Sequence, residues 1–410
     1  MKQFSILVIL LLSQGLTRLT AQPSLERYLQ VAAENNPGLK ARFSEYMASL
    51  ERIPQAGSLP DPQVAFAYFI SPVETRMGPQ RFRISASQMF PWFGTLQARE
   101  NVAAQSAKAS FEAFEEARAK LFHEVRSNYY TLYFTRRALS ITAENLELLS
   151  SLSQLARTRI ESGMASSLDE YRLEMETGDL ENQLARLVDN EELLTVMFNN
   201  LLHVERENPV ETPDLLPETE LGISMQDALD TIRSVNPQLK GLALEQEALQ
   251  YREEVAVKMG KPGFTVGLDY INVGSGPDQL PGTDAVVFPM VGISIPLYRS
   301  KYKAMVNETI RLREAKGAER VEKTNLLEDL LEKSWKEYLD AGRRITLYKS
   351  QMELADQSVS LLETAYANGE SDFEEVLRME RKLLNYRLEL EKARADKQAS
   401  RSFIFYLMGK

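Results

Sequence analysis

The chain has no cysteine. That excludes disulfides, thiolate metal sites, cysteine nucleophiles and lipid attachment through an N-terminal cysteine. Histidine is nearly as scarce. His123 and His203 are the two present, and they lie too far apart in sequence, without partners at ligand spacing, to suggest a metal or acid–base centre. No Gly-rich phosphate loop, G-x-S-x-G elbow or H-E-x-x-H pair occurs. The 14 methionines, among them Met164, Met175, Met197, Met225, Met259 and Met290, are scattered. Scatter fits core filling and argues against a soft-metal site. The expectation is no enzyme, no catalytic residue, no cofactor and no bound metal.

Positive charge is also in short supply. Lys and Arg number 48 against 58 Asp and Glu, for a net charge of −10, and no basic cluster stands out. Nucleic-acid binding needs such a footprint, so it is not expected. Beyond the N-terminus no run approaches the ~18 apolar residues of a transmembrane helix. Entry into a membrane would therefore have to use β-strands, whose alternating pattern hydropathy does not register. The N-terminal apolar stretch is residues 4–12, interrupted by Ser5. With Lys2 before it and Thr20-Ala21-Gln22 after it, residues 1–22 read as a secretory signal peptide, too short in its apolar part to span a bilayer.

What the chain does have is an internal repeat. Asn36-Pro37-Gly38-Leu39-Lys40 returns as Asn236-Pro237-Gln238-Leu239-Lys240. Each copy continues through a helical stretch, a proline (Pro62, Pro262) and two alternating apolar runs. The second run ends at Met89-Phe90-Pro91-Trp92-Phe93 in one half and Ser294-Ile295-Pro296-Leu297-Tyr298 in the other. Then come a very long helical segment, a glycine turn at Gly163 or Gly369, and a closing helix. The landmarks divide the mature chain into a first repeat at 23–207, a Pro- and acid-rich linker at 208–220 and a second repeat at 221–410.

The helical segments are unusually long. Residues 95–162 contain neither Gly nor Pro, and about 68 residues at 1.5 Å each would span roughly 100 Å. Apolar residues recur at three-four spacing, as in Leu121, Val125, Tyr129, Leu132 and Leu146, Leu149, Leu152, Leu155. An ordinary coiled coil would read the same way. The strands separate the two readings. Val64, Phe66, Tyr68 and Ile70 share one face, opposite Gln63, Ala65, Ala67 and Phe69. Phe82, Ile84, Ala86 and Phe90 alternate with Arg83, Ser85 and Ser87. Phe264, Val266, Leu268 and Tyr270 alternate with Thr265, Gly267 and Asp269. Val291, Ile293 and Ile295 alternate with Gly292 and Ser294. Alternation also suits a half-buried soluble sheet. Hairpins at about 62–92 and 262–297 cannot close a barrel within one chain, because bacterial barrels start at about eight strands. Export, amphipathic hairpins and rod-length helices together point to several chains sharing one membrane barrel. The fold class expected is mainly α with a small β part: two tandem repeats, two β-hairpins and long antiparallel coiled-coil helices at 95–207 and 299–408.

With these features the chain resembles the TolC-type outer-membrane efflux family. The twofold repeat, the Asn-Pro-x-Leu openings, the hairpins and the glycine turns carry the likeness. Gln88-Met89-Phe90-Pro91-Trp92-Phe93-Gly94 with Arg99 is similar to a stretch of the heavy-metal efflux branch, which favours metal cations over drugs or secreted proteins as cargo. The resemblance implies a homotrimer with a 12-stranded barrel in the outer-membrane lipid and a 12-helix tunnel in the periplasm. It also implies a periplasmic adaptor and an inner-membrane pump as partners. Carried onto this chain, the adaptor-docking tips are Arg159, Gly163, Leu168 and Asp169 in the first half, and Gly369 and Phe373 in the second. The pore constriction falls on Glu374, with Asp169 second. Charged rings set selectivity in pores, while acids at a helix start are equally suited to capping. The sequence departs from the family where Ala365 replaces the basic residue that Arg159 supplies in the first half, and where the second turn is one residue shorter. The rival readings are a periplasmic coiled-coil adaptor and a structural scaffold.

Overall fold

The computed structural model describes residues 23–163, 166–276 and 281–410. The signal peptide assigned to residues 1–22 and Met164 lie outside the described residues. The chain runs α1 (Pro23–Asn35), α2 (Pro37–Gly57), β1 (Gln63–Thr75), β2 (Gly78–Phe90), α3 (Thr95–Glu161) and α4 (Ser167–Leu202). The same succession follows as α5 (Met225–Val235), α6 (Pro237–Met259), β3 (Gly263–Val273), β4 (Ala285–Ser294), α7 (Arg299–Asn368) and α8 (Phe373–Leu407). Each half thus opens with two helices where the sequence suggested one. The break falls at Asn36-Pro37 and Asn236-Pro237. Proline lacks the N–H that a continuing helix needs and is well placed at a first helical position. The preceding asparagine caps the new helix. Asn236 Oδ1 accepts from the Gln238 N–H at 2.9 Å, and Asn36 Oδ1 accepts from the Leu39 N–H at 3.0 Å.

The chain forms two compact units. One comprises Ala41–Glu116 and Arg233–Leu326; the other takes the residues up to Lys40, Ala117–Ile232 and Leu327–Lys410. Each draws on both halves of the sequence. A lone helix with one apolar stripe cannot bury it, so equivalent elements of the two halves cover each other.

In the first unit the two hairpins are one antiparallel sheet of order β1-β2-β3-β4. Phe66 pairs with Ile84, and Ile84 with Tyr270; Val64 pairs with Ala86, and Ala86 with Leu268. The apolar residues of neighbouring strands therefore share one face. The Phe66 and Phe82 rings lie 5.9 Å apart, and those of Phe82 and Tyr270 6.1 Å. This face is uncovered: Val64, Phe66 and Ile70 are 74%, 67% and 94% exposed. The opposite face is polar, with Arg83 paired to Asp269 and Arg83 Nε donating to Ser85 Oγ at 3.1 Å. The β1–β2 hairpin closes at the Thr75–Gly78 pair. Gly78 has φ +121°, and a Cβ there would come within 2.0 Å of the Gly274 carbonyl oxygen. Only glycine fits that backbone.

In the second unit the 208–220 linker is strapped onto the long helices. Tyr133 Oη donates to Glu391 at 2.5 Å and accepts from the Leu216 N–H at 3.4 Å. Its counterpart on α7, Tyr338, donates to Glu220 at 2.7 Å and accepts from the Leu221 N–H at 3.0 Å. Gln398 donates to the Pro217 carbonyl at 2.7 Å, and Lys397 pairs with Glu220 at 2.8 Å. Linker backbone groups thus find partners on helix side chains, as buried amides require. Burial, with the Glu220 hydrogen bond, pushes the Tyr338 hydroxyl up to about 12. Nearby, His123 lies 5.0 Å from Phe403 and 5.6 Å from Tyr406, ring to ring. Burial, then Arg126, lowers its pKa from 6.5 to about 4.

Two outcomes follow. Gly78→Ala should strain the hairpin by about 2 kcal/mol or more, read as a lower urea midpoint. For His123, the unfolded chain binds more protons than the folded one between pH 6.5 and about 4. Stability from this group is intact above that window and falls as pH drops through it. His123→Phe should therefore lose less stability on acidification than the wild type, in parallel urea titrations.

Candidate functional sites

The sequence placed its site residues at the two helix turns, and the structure brings both turns together within the second unit. The turn after α3 holds Gly163, with φ +73°, and the turn after α7 holds Gly369, with φ +82°. At the second turn the Gly369 N–H bonds the Tyr366 carbonyl at 3.0 Å and the Glu370 N–H bonds that of Ala365 at 2.8 Å. That pair of bonds is a Schellman cap, which needs a left-handed residue at the glycine position. At the first turn Ser166 caps α4 by accepting from the Leu168 N–H at 3.2 Å.

Beneath the turns lies one apolar cluster built from all four helices: Ile141, Leu149, Leu152, Leu173, Leu180, Tyr366, Phe373, Val376 and Leu377. Phe373 is 1% exposed, with its ring 5.0 Å from Tyr366. Arg159 is also buried, and its guanidinium stacks over Tyr366 at 4.3 Å. Leu168, the counterpart of Phe373 in the first turn, is instead 51% exposed. Its neighbours Tyr171 and Met175 are exposed too. The two tips are therefore unequal: Arg159 and Phe373 hold them together from within, and Leu168 offers an apolar surface.

Asp169 and Glu374 come together through a residue the sequence reading missed. Arg172 lies 3.5 Å from Asp169 and 3.2 Å from Glu374. Its spacing to Asp169 is a legible i,i+3 pair, but its reach to the other half is tertiary. Burial raises the Asp169 pKa, against the opposing pull of Arg172 and reinforced by Asp372. Further pairs cross the helices, Arg157–Glu170 at 3.2 Å and Arg381–Glu176 at 2.5 Å. Exposed pairs contribute ~0–1 kcal/mol each, while burying one Phe side chain contributes about 1.5–3 kcal/mol. The apolar cluster is the stronger tie, and the ion pairs set its register. Asp169 and Glu170 sit in the first turn of α4, and Glu374 and Glu375 in that of α8, where acids also favour the helix dipole.

The second candidate surface is the uncovered apolar face of the sheet in the other unit. Among the described residues no helix is long and apolar enough to cross a membrane. No group of three or more acids and histidines among them could hold a metal ion.

Comparison with known proteins accords with this arrangement. Residues 28–201 match the family model described as outer membrane efflux protein. The toxin and drug export protein A of Aggregatibacter actinomycetemcomitans is 21% identical over 178 residues, 43% of this chain. That match spans 38% of the relative's own length. The fold is similar to that of the outer-membrane channel OprN (TM-score 0.81, 16% identity, 95% of this chain and 90% of that one). It is also similar to VceC of Vibrio cholerae (0.78, 15%, 94% and 96%) and to the open state of the MtrE channel of Neisseria gonorrhoeae (0.77, 14%, 94% and 89%). The chain thus shares the fold of these three proteins.

At the tips, Gly369→Ala should cost about 1 kcal/mol from the positive φ, with Arg159 Nη2 already 3.4 Å from where the new Cβ would stand. Hydrogen exchange at the α7–α8 turn should quicken, while exchange in the sheet stays unchanged.

Proposed function

We propose that the chain is one of three identical protomers of a passive efflux duct. The sheet supplies four strands to a 12-stranded barrel in the outer membrane, and the paired halves of the chain supply four helices to a 12-helix periplasmic tunnel. The duct does no covalent chemistry. An inner-membrane pump supplies the energy, coupled through a periplasmic adaptor that meets the tips. The observation that carries this reading is the sheet, with an aromatic and aliphatic face left uncovered by its own chain. Its outer strands, β1 and β4, each have one unpaired edge. In water that surface invites aggregation; closed threefold in a bilayer, it is lipid-facing, with Arg83 and Asp269 turned to a wet lumen. Metal cations remain the cargo favoured by the Pro-Trp segment.

At the tunnel end, threefold repetition makes a ring of Glu374 and Asp169, each held by Arg172. Such a ring would favour cations in the narrow part of the path.

The test is purification from outer membranes in detergent, followed by solution mass and conductance in a planar bilayer. A trimer that inserts and conducts is expected. A water-soluble species that never inserts would overturn the duct and favour the adaptor or scaffold reading. In the conducting protein, Glu374→Ala should weaken block by multivalent cations by roughly tenfold, about 1.4 kcal/mol. Unchanged block and conductance would remove Glu374 from the constriction.

A further inference from the structure

One buried charge is unused by the duct. Glu380 lies on α8, two turns beyond the tip, and is 3% exposed. Its Oε2 is enclosed by its own chain and has no hydrogen-bond partner, so a neighbouring protomer could not reach that atom either. The position belongs to the apolar seam of the hairpin. Phe373, Val376, Leu377 and Leu384 on the same helix pack in the tip cluster with Tyr366 of α7. Leu383 packs with Ala355 and Val359 of α7 in the next cluster along. A leucine would suit the site between them; the chain places a carboxyl there.

The charged groups around it do not neutralise it. From α7, Glu363 and Asp356 act on it as like charges, and Arg387 on its own helix opposes them. Arg387 is already engaged, with Asp356 at 3.6 Å. Arg137 and Glu144 of α3, with Glu353, Glu391 and Arg394, line the adjoining groove around Asp356 and Arg387. Arg381, the next residue after Glu380, is turned to Glu176 of α4 at 2.5 Å. An ionised Glu380 would therefore hold Oε2 buried without a partner while facing two acids, a costly state.

We propose that Glu380 is a proton-operated latch in the α7–α8 hairpin: protonated, it lets the seam close; ionised, it forces the seam to admit water and loosens the tip. Burial, and after it Glu363, raises the carboxyl's pKa above its usual value, which brings the transition toward ambient pH. In the folded hairpin the group binds its proton more tightly than in the open one. The latch therefore holds at low pH and weakens as pH rises through the folded-state pKa. The observation stands on the packing of one hairpin and does not depend on barrel formation.

The test is hydrogen exchange on the detergent-purified full chain between about pH 5 and about pH 8, with rates corrected for intrinsic chemistry. In the wild type, opening of the α7–α8 seam should rise by roughly threefold or more toward high pH. Glu380→Gln should abolish that rise and leave the seam as protected at high pH as the wild type is at low pH. Glu380→Leu gives a second route to the same result should the amide pack poorly. Glu375→Gln, on the exposed side beside Arg378, should leave the response intact. Equal pH dependence in wild type and Glu380→Gln overturns the latch whether or not the protein conducts. Failure to insert, with the latch behaviour present, overturns the duct alone.

Discussion

The structure depends on apolar surface that one chain cannot cover. The four-stranded sheet has an exposed aromatic and aliphatic face and two open edges, and among the described residues no element of its own unit is laid over that face. A sheet of this kind is stable in water only if paired or buried. In the proposed duct, closure by identical copies satisfies the edges and the bilayer satisfies the face. The Arg83–Asp269 pair on the opposite face then finds the wet side it requires.

The helical unit meets the same constraint internally. Each half supplies a long helix and its return, too narrow in apolar stripe to stand alone, and the two pairs bury their stripes on each other. Tyr133 and Tyr338 then anchor the connecting segment with matching hydrogen bonds from equivalent places on α3 and α7. At the tips the tie is Phe373 and the Arg159–Tyr366 stack, with Arg172 joining acids of both halves above it. Glu380 weakens this seam where leucine would strengthen it, which is why it reads as a device rather than as packing.

Much of this was legible in the residues. Glycine and proline placement marked the ends of α3 and α7 to within a residue or two, because those breakers act locally. Period-two alternation located all four strands and their apolar faces. Gly163 and Gly369 were legible because a turn between long helices needs a residue tolerant of positive φ, and both have it, whereas Asp169 and Glu374 were singled out by the family resemblance. The doubling of each opening helix was missed, although Asn-Pro is a break signal, since the motif was read as a landmark of the repeat.

The sequence by itself determined which segments are helix and which are strand, that the pattern occurs twice, and that one face of every strand is apolar. Those properties follow from short-range sterics and periodicity. Only the tertiary structure decided that the two hairpins form one sheet through β2 and β3, that compact units mix the two halves, and that the linker is strapped down rather than free. It alone placed Arg172 between Asp169 and Glu374, buried Phe373 while exposing Leu168, and enclosed Glu380. Pairings between residues some two hundred positions apart leave no local trace. They are chosen by which apolar surfaces fit together once the helices and strands have formed.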